Sequence, residues 1–226
     1  RYTHVLAPNG HAVPIIAQNN ITDRQFLHAR RILKEYLTNV PGTVWGNNKD
    51  PVANALALSN AILLLLNDES EYDNPALDAL FDAGANGQDL LATEIFPEGS
   101  YQYMNSGLRD ASYEEILHFV HGFGIQNALP SMQSAIIQAM NYSINNNNYI
   151  PLSDLPEEDY DEEYLAMALE SYFGLWAHDP GGDHWAGGHE YRYINRQEMM
   201  VGDEQGYNII KEFFGENWRY TAELPP

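Results

Sequence analysis

The chain has 226 residues, no cysteine, and 32 Asp and Glu residues against 11 Lys and Arg, which gives a formal net charge of −21. Such an acidic chain is a poor partner for nucleic acid or an anionic membrane, and without cysteine any metal ion must be bound by His, Asp or Glu. No run of about 18 apolar residues is present, so we expect no membrane insertion. Because the sequence begins at Arg1 rather than at Met, we expect a mature exported protein, secreted or periplasmic.

The first half of the chain predicts helices and strands in alternation. Helices are expected at about 22–37, 51–60 and 75–83, and strands at 61–66 and 90–96. Thr22 or Asp23 is suited to cap the first helix, and Pro97 to stop the second strand. A polar loop is expected at 67–74.

The second half predicts mainly helices. One helix carries the stretch 110–122 and is expected to break at Gly122 to Gly124, a second covers about 131–141, and a third opens in the acidic run 154–163 and ends near Trp176. We interpret the chain as a single domain, with an α/β part over about 10–108 and a helical part over about 109–226.

The segment from Glu114 to His118 reads Glu-Glu-Ile-Leu-His, which is the zinc-protease pattern HExxH with its first histidine replaced by glutamate. In HExxH both histidines bind zinc, and the glutamate acts as general base on the zinc-bound water. Glu114, His118 and His121 fall within roughly 60° on a helical projection, so all three could point into one site. Pairings of His118 with Glu115 or His121 stay open, as does a simple amphipathic helix with a solvated acidic face.

Two glutamates on the later helix are candidates for a further ligand. Glu163 and Glu170 are seven residues apart and so share a helix face. One family of zinc proteases takes its third ligand from a glutamate on a helix downstream of HExxH. The alternatives are a helix N-terminal charge for Glu163 and a surface residue for Glu170.

These two helices resemble those of the gluzincins, the glutamate-type zincin metallopeptidases. The similarity is closer to a group of uncharacterised secreted bacterial proteins with an Ala-x-x-Glu-Glu-x-x-His pattern and a later Glu-Tyr helix. Residues 111–118 match the first element and Glu163-Tyr164 the second, and the tail at 203–207 also matches. The resemblance covers about residues 10–223, although only the two helices are specific.

The resemblance implies an α+β, zincin-like fold with a small mixed sheet, a metal-site helix and a second glutamate-bearing helix. It implies zinc as cofactor and Glu115 as the general base. The implied metal ligands are Glu114, His118 and Glu163. A rival set of His118, His121 and Glu163, with Glu114 or Glu115 free as the base, would have two histidines and one glutamate but does not align with the motif, and Glu170 is a further alternate. Glu114 departs from active peptidases: two carboxylates would neutralise the zinc charge, so the bound water should be less acidified than in a site with two histidines and one glutamate.

A glycine-rich segment contains three histidines, His178, His184 and His189, followed by Tyr191 and Arg192. Glycines let the backbone approach a ligand closely, so these side chains are candidates for binding substrate or stabilising an oxyanion. The alternative is that the histidines are simply solvated.

The sequence therefore predicts a zinc-dependent hydrolase of metallopeptidase type, with weak or lost activity, that acts on a peptide or protein. The mechanism would be metal polarisation of a carbonyl, with Glu115 taking a proton from the attacking water. The alternative is a non-catalytic secreted protein that binds a metal or a partner on the same scaffold. An acidic calcium-binding module is disfavoured, because residues 154–163 lack EF-hand spacing.

Overall fold

The computed structural model describes residues 1–96, 110–175 and 190–216. The first part of the chain contains a four-stranded mixed sheet. The spatial order is β1-β2-β3-β4, for strands Tyr2–Leu6, Ala12–Ala17, Ala61–Leu66 and Asn86–Leu91. β1 and β2 form an antiparallel pair, whereas β2, β3 and β4 run parallel. Every residue of β3 is buried, which fits its continuous apolar sequence. The protein is thus a mixed α+β protein with a small sheet.

The strand predicted at 61–66 is confirmed, but the one predicted at 90–96 was placed about four residues too late. β4 begins at Asn86 because it pairs along the whole of β3, from Ala61 opposite Asn86 to Leu66 opposite Leu91. The hairpin of β1 and β2 was not predicted. β4 is an edge strand in the described sheet.

The same part of the chain contains the helices α1 (Asp23–Tyr36), α2 (Asp50–Leu58) and α3 (Pro75–Asp82). The predicted cap of α1 is confirmed, since Thr22 Oγ1 accepts a hydrogen bond from the Gln25 backbone N–H at 3.2 Å. Gln25 Oε1 in turn accepts from the Thr22 backbone N–H at 3.0 Å, which completes a capping box. The polar segment expected as a loop contains a 3₁₀-helix, Glu69–Asp73.

The second part is helical. It contains α4 (Ser112–Val120), α5 (Pro130–Asn145), α6 (Tyr160–Phe173), α7 (Arg196–Gly202) and α8 (Glu204–Phe214). α6 begins with three acidic residues in its first turn, as the acidic run indicated, and ends before Gly174, which has φ 64°. None of the helices in the described ranges has both the length and the apolar character needed to cross a bilayer.

The expected break at Gly122 to Gly124 is wrong. The chain continues from α4 as a π-helical turn, His121–Ile125, and then as a short α-helical turn, Gln126–Ala128. Gly124 instead allows this segment to pack closely against α2, because a Cβ atom at position 124 would lie only 2.7 Å from Cγ1 of Val52. π-helical turns occur often next to functional sites, and this one follows directly after the helix that carries the motif.

α4 and α6 pack against each other inside the main hydrophobic core, and α4 also contacts α1 and β4. Most of α6 from Tyr164 to Tyr172 is buried, as are Ile116, Leu117 and Phe119 of α4. The apolar sides of these two helices fix their separation, and the polar residues at the start of each helix are thereby brought close together.

Candidate metal centre

Three side chains from α4 and α6 converge on one point. Glu114 and His118 lie one turn apart on α4, and Glu163 lies in the first turn of α6. Each offers one ligand atom, and these atoms all lie within 4.8 Å of one another. Nε2 of His118 is 3.9 Å from Oε1 of Glu163. Zinc binds nitrogen and carboxylate oxygen at about 2.0–2.2 Å, so two donors at this separation can reach one ion.

The imidazole of His118 is only 8% exposed. Its Nε2 atom is buried and has no hydrogen-bond partner among the described residues. A buried polar atom without a partner costs free energy, and such atoms are rare in folded proteins. A cation held between His118 and the two glutamates would remove that cost, so the residues present fit a metal ion.

The pKa values of the side chains in the cluster also favour a bound cation. Burial raises the pKa of Glu163 to about 7. The charge of His118 lowers this pKa, but the charges of Glu114 and Glu115 raise it. Burial lowers the pKa of His118, but its interactions with Glu115, Glu114 and Glu163 outweigh burial and raise that pKa to about 9. The protein therefore holds several carboxylates close together around one histidine, an arrangement that a divalent cation stabilises.

Glu115 lies beside the other nitrogen of the same ring. Its Oε2 atom is 3.7 Å from His118 Nδ1 and accepts a hydrogen bond of 2.8 Å from Nε2 of Gln88 on β4. Glu115 is thus next to the candidate metal centre but is not one of the three converging residues, which are Glu114, His118 and Glu163.

The structure does not bring His121 into this group. Its ring is fully buried, and Nε2 lies 2.8 Å from Oε1 of Gln133, which in turn donates from Nε2 to Asp161. His121 Nδ1 is 3.9 Å from Oε2 of Glu162. His121 therefore faces Asp161 and Glu162, the residues that precede Glu163 on α6.

Glu170, the other alternate ligand, lies two turns further along α6. It is 2% exposed, and its charge raises the pKa of Tyr36 beyond the increase that burial causes. The Tyr36 hydroxyl donates to the backbone oxygen of Tyr113 at 2.9 Å. Glu170 thus belongs to the buried surroundings of Tyr36 and not to the group around His118.

The histidines proposed to contact substrate, His178, His184 and His189, lie outside the described residues. Tyr191 is described and is 1% exposed. Its hydroxyl donates to Oδ2 of Asp203 at 2.7 Å, and the Tyr164 hydroxyl donates to the same oxygen at 2.6 Å. In this structure Tyr191 is part of a buried hydrogen-bond network. Arg192 lines a separate cavity of about 470 Å³.

Two residues near the centre were not anticipated from the sequence. Gln88 was assigned to no element, and its contact with Glu115 depends on where β4 begins. The Tyr149 hydroxyl is buried with no hydrogen-bond partner among the described residues. Burial raises the Tyr149 pKa, and the charge of Glu163 raises it further, so this hydroxyl is close to the carboxylate cluster. The two residues are 14 positions apart, and Tyr149 lies outside the helix that carries Glu163, so their sequence spacing does not indicate that they lie close together.

No protein-family model, no curated protein and no solved structure matches this chain significantly. A function must therefore be argued from the side chains of the site.

Proposed function

We propose that the protein is a zinc-dependent hydrolase of the metallopeptidase type on a zincin-like scaffold, with weak activity towards peptide or protein substrates. The observation that carries the proposal is the convergence of Glu114, His118 and Glu163 around a buried His118 Nε2 atom without a hydrogen-bond partner. A small mixed sheet packed on the helix that carries Glu114 and His118 is compatible with such a scaffold.

The composition of the ligand group supports zinc. One imidazole nitrogen and two carboxylate oxygens are all accepted zinc ligands, whereas magnesium and calcium take mainly oxygen. Catalytic zinc sites commonly have three protein ligands and keep a fourth position for water or substrate. Glu114, His118 and Glu163 supply that number.

Bound zinc would polarise a substrate carbonyl and lower the pKa of its water. We propose Glu115 as the general base, because it is the motif glutamate next to Glu114 and its Oε2 accepts a hydrogen bond from Gln88, which holds the carboxylate beside the centre. The carboxylate of Glu114 in place of a histidine would be a second negative ligand. That extra charge would make a zinc-bound water less acidic, and we therefore propose slow turnover.

A second candidate function is a non-catalytic metal-binding or partner-binding protein. It is favoured by the same two carboxylate ligands, and by the position of Glu115, whose Oε2 faces His118 Nδ1 and Gln88. In this case the metal ion would stabilise the contact between α4 and α6 without supporting hydrolysis.

Metal analysis tests the proposal. The purified wild-type protein, saturated with zinc and passed through a desalting column, is expected to retain about one zinc ion per chain. His118→Ala and Glu163→Gln are expected to retain much less, while Glu162→Gln, a matched change next to Glu163, keeps zinc. Wild-type protein that retains no zinc would overturn the metal centre.

Turnover separates the two candidate functions. Zinc-loaded wild-type protein is incubated with a broad peptide library, in parallel with Glu115→Gln. Cleavage by the wild type and none by the variant would favour a hydrolase. Stoichiometric zinc without cleavage by either protein would favour the binding protein.

A further inference from the structure

Gln88, Glu115 and His118 form a chain of contacts from the sheet to the candidate metal centre. Gln88 Nε2, on β4, donates to Glu115 Oε2 at 2.8 Å, and the same oxygen lies 3.7 Å from His118 Nδ1. On the other side of the ring, His118 Nε2 lies 3.9 Å from Glu163 Oε1. The two nitrogens of one imidazole thus face different carboxylates.

This arrangement determines which nitrogen can bind a metal. A neutral imidazole carries a proton on one nitrogen and a lone pair on the other, and a carboxylate beside one nitrogen favours the proton there. Glu163 lies at a similar distance from Nε2, but in a metal-bound centre its oxygen would be engaged by the ion. Glu115 would then be the carboxylate that favours the proton on Nδ1, and the lone pair on Nε2, which points towards Glu163, would bind the metal. Histidines that bind metal ions are commonly oriented in this way by a carboxylate at the second nitrogen.

We propose that Gln88 and Glu115 are positioning residues that hold His118 with Nε2 directed into the metal centre, so that they set its affinity for zinc. The inference rests on the proposed metal centre and adds a role for Glu115 to that of a base. A movement of roughly 1 Å would shorten the 3.7 Å separation to a hydrogen bond, and Gln88 keeps the carboxylate within that reach.

His121, one turn further along, is a natural comparison. Its Nε2 lies 2.8 Å from Gln133 Oε1, and its Nδ1 lies 3.9 Å from Glu162 Oε2. A glutamine therefore engages Nε2 of His121 directly, whereas the corresponding atom of His118 has no hydrogen-bond partner among the described residues. Each histidine thus has a carboxylate near Nδ1, but only His118 presents Nε2 to the cluster.

Zinc affinity tests the proposal in matched variants, measured by competition with a chromophoric chelator. Glu115→Met, which removes the acceptor, is expected to weaken zinc binding by about 10–100-fold. Glu115→Gln keeps a neutral acceptor and should fall between Glu115→Met and wild type, and Gln88→Met should weaken binding by a few-fold. Glu162→Gln and Gln133→Met change the two side chains that lie beside the nitrogens of His121 instead, and should bind zinc within about threefold of wild type. Thermal unfolding of each variant checks that it is folded.

If both Glu115 variants bind zinc as tightly as wild type while His118→Ala does not bind it, the positioning role is wrong and Glu115 acts only as a base. A metal-free measurement keeps this result separate from failure of the metal centre itself. Nitrogen-15 NMR of the zinc-free Glu163→Gln protein, which lacks the charge beside Nε2, is recorded above the raised pKa of His118 and should place the ring proton on Nδ1. In the same background that preference should weaken in Glu115→Met and persist in Glu162→Gln. A proton on Nε2 in the Glu163→Gln protein would overturn the positioning role whether or not zinc binds.

Discussion

The Nε2 atom of His118 lies 3.9 Å from Oε1 of Glu163, across the contact between α4 and α6. The His118 and Glu163 side chains are 8% and 22% exposed, so both give up most of their contact with water. Burying a ring nitrogen and a carboxylate without full hydrogen bonding is costly, and a shared cation offsets that cost. We therefore expect the loss of either side chain to weaken the binding of a cation.

Removing one side of the pair should weaken zinc binding strongly. We expect His118→Ala and Glu163→Gln each to raise the dissociation constant for zinc by at least about 100-fold, because each removes one of the three proposed protein ligands. Isothermal titration calorimetry of the metal-free proteins measures this. Glu162→Gln serves as the control, since its carboxylate faces His121. Equal affinity in Glu162→Gln and Glu163→Gln would show that general acidity, and not this pair, attracts the ion.

Zinc should also stabilise the fold, because the proposed ligands come from two helices that pack in the core. At a free zinc concentration of about 100 times the dissociation constant, binding contributes about 2.7 kcal/mol, which for a chain of this size raises the melting temperature by roughly 5–10 °C. Thermal unfolding followed by circular dichroism, with zinc and with EDTA, gives the difference. His118→Ala should melt at the same temperature in both. A wild-type protein insensitive to EDTA would contradict the metal centre.

The sequence predicted those elements whose local pattern agrees with their surroundings. Thr22 caps α1 as expected, and the apolar run of β3 is buried on both faces. The spacing of Glu114 and His118, four residues apart, was enough to place them on one face of α4. In each case residues close in sequence determine the local structure, so the sequence alone indicates it.

Other features depend on partners that are distant in sequence. β4 contains Asn86, Gln88 and Asp89, residues that seldom indicate a strand, and its position follows from pairing with β3. The position of Gln88 beside Glu115 follows from that pairing and could not be anticipated. Gly124 suggested a break, but the close approach of Val52 explains the glycine. Tertiary packing therefore overrides the local pattern at these points.

Glu114→His should strengthen hydrolysis. The change would give the proposed zinc ion two histidine ligands and one glutamate ligand, and so one negative charge fewer. The bound water should then have a lower pKa, nearer 7, and be a better nucleophile at neutral pH. We expect peptide cleavage by zinc-loaded Glu114→His to exceed that of wild type by about tenfold or more, measured on fluorogenic peptides.

The control for this prediction is Glu115→Gln in the Glu114→His background, which should remove the gain because the base is lost. Zinc content is measured for each protein, so that a loss of metal is not mistaken for a loss of catalysis. If Glu114→His binds zinc fully and is no more active than wild type, the carboxylate at position 114 is not what limits activity.

Lys49 should destabilise the protein near neutral pH. Its side chain is fully buried, and Nζ has no hydrogen-bond partner among the described residues. Burial lowers the Lys49 pKa from 10.5 to about 7, although the charge of Glu35 opposes this. Nζ lies 4.2 and 5.0 Å from the ring centroids of Phe213 and Phe214, and these cation–π contacts offset part of the cost. We expect Lys49→Met to raise the free energy of unfolding at pH 6 by roughly 2–4 kcal/mol.

The pH dependence of this gain has a defined sign. Below pH 7 Lys49 is charged in both the folded and the unfolded protein, so the full cost of burying the charge is present. Between about pH 7 and 10.5 the unfolded chain binds more protons than the folded one, and the stability of the wild type therefore rises with pH through this lysine. The advantage of Lys49→Met should shrink over the same window. Urea unfolding of both proteins at pH 6, 8 and 10 measures it, because other titrating groups cancel in the difference. A gain that stays constant with pH would show that Lys49 keeps its charge when folded.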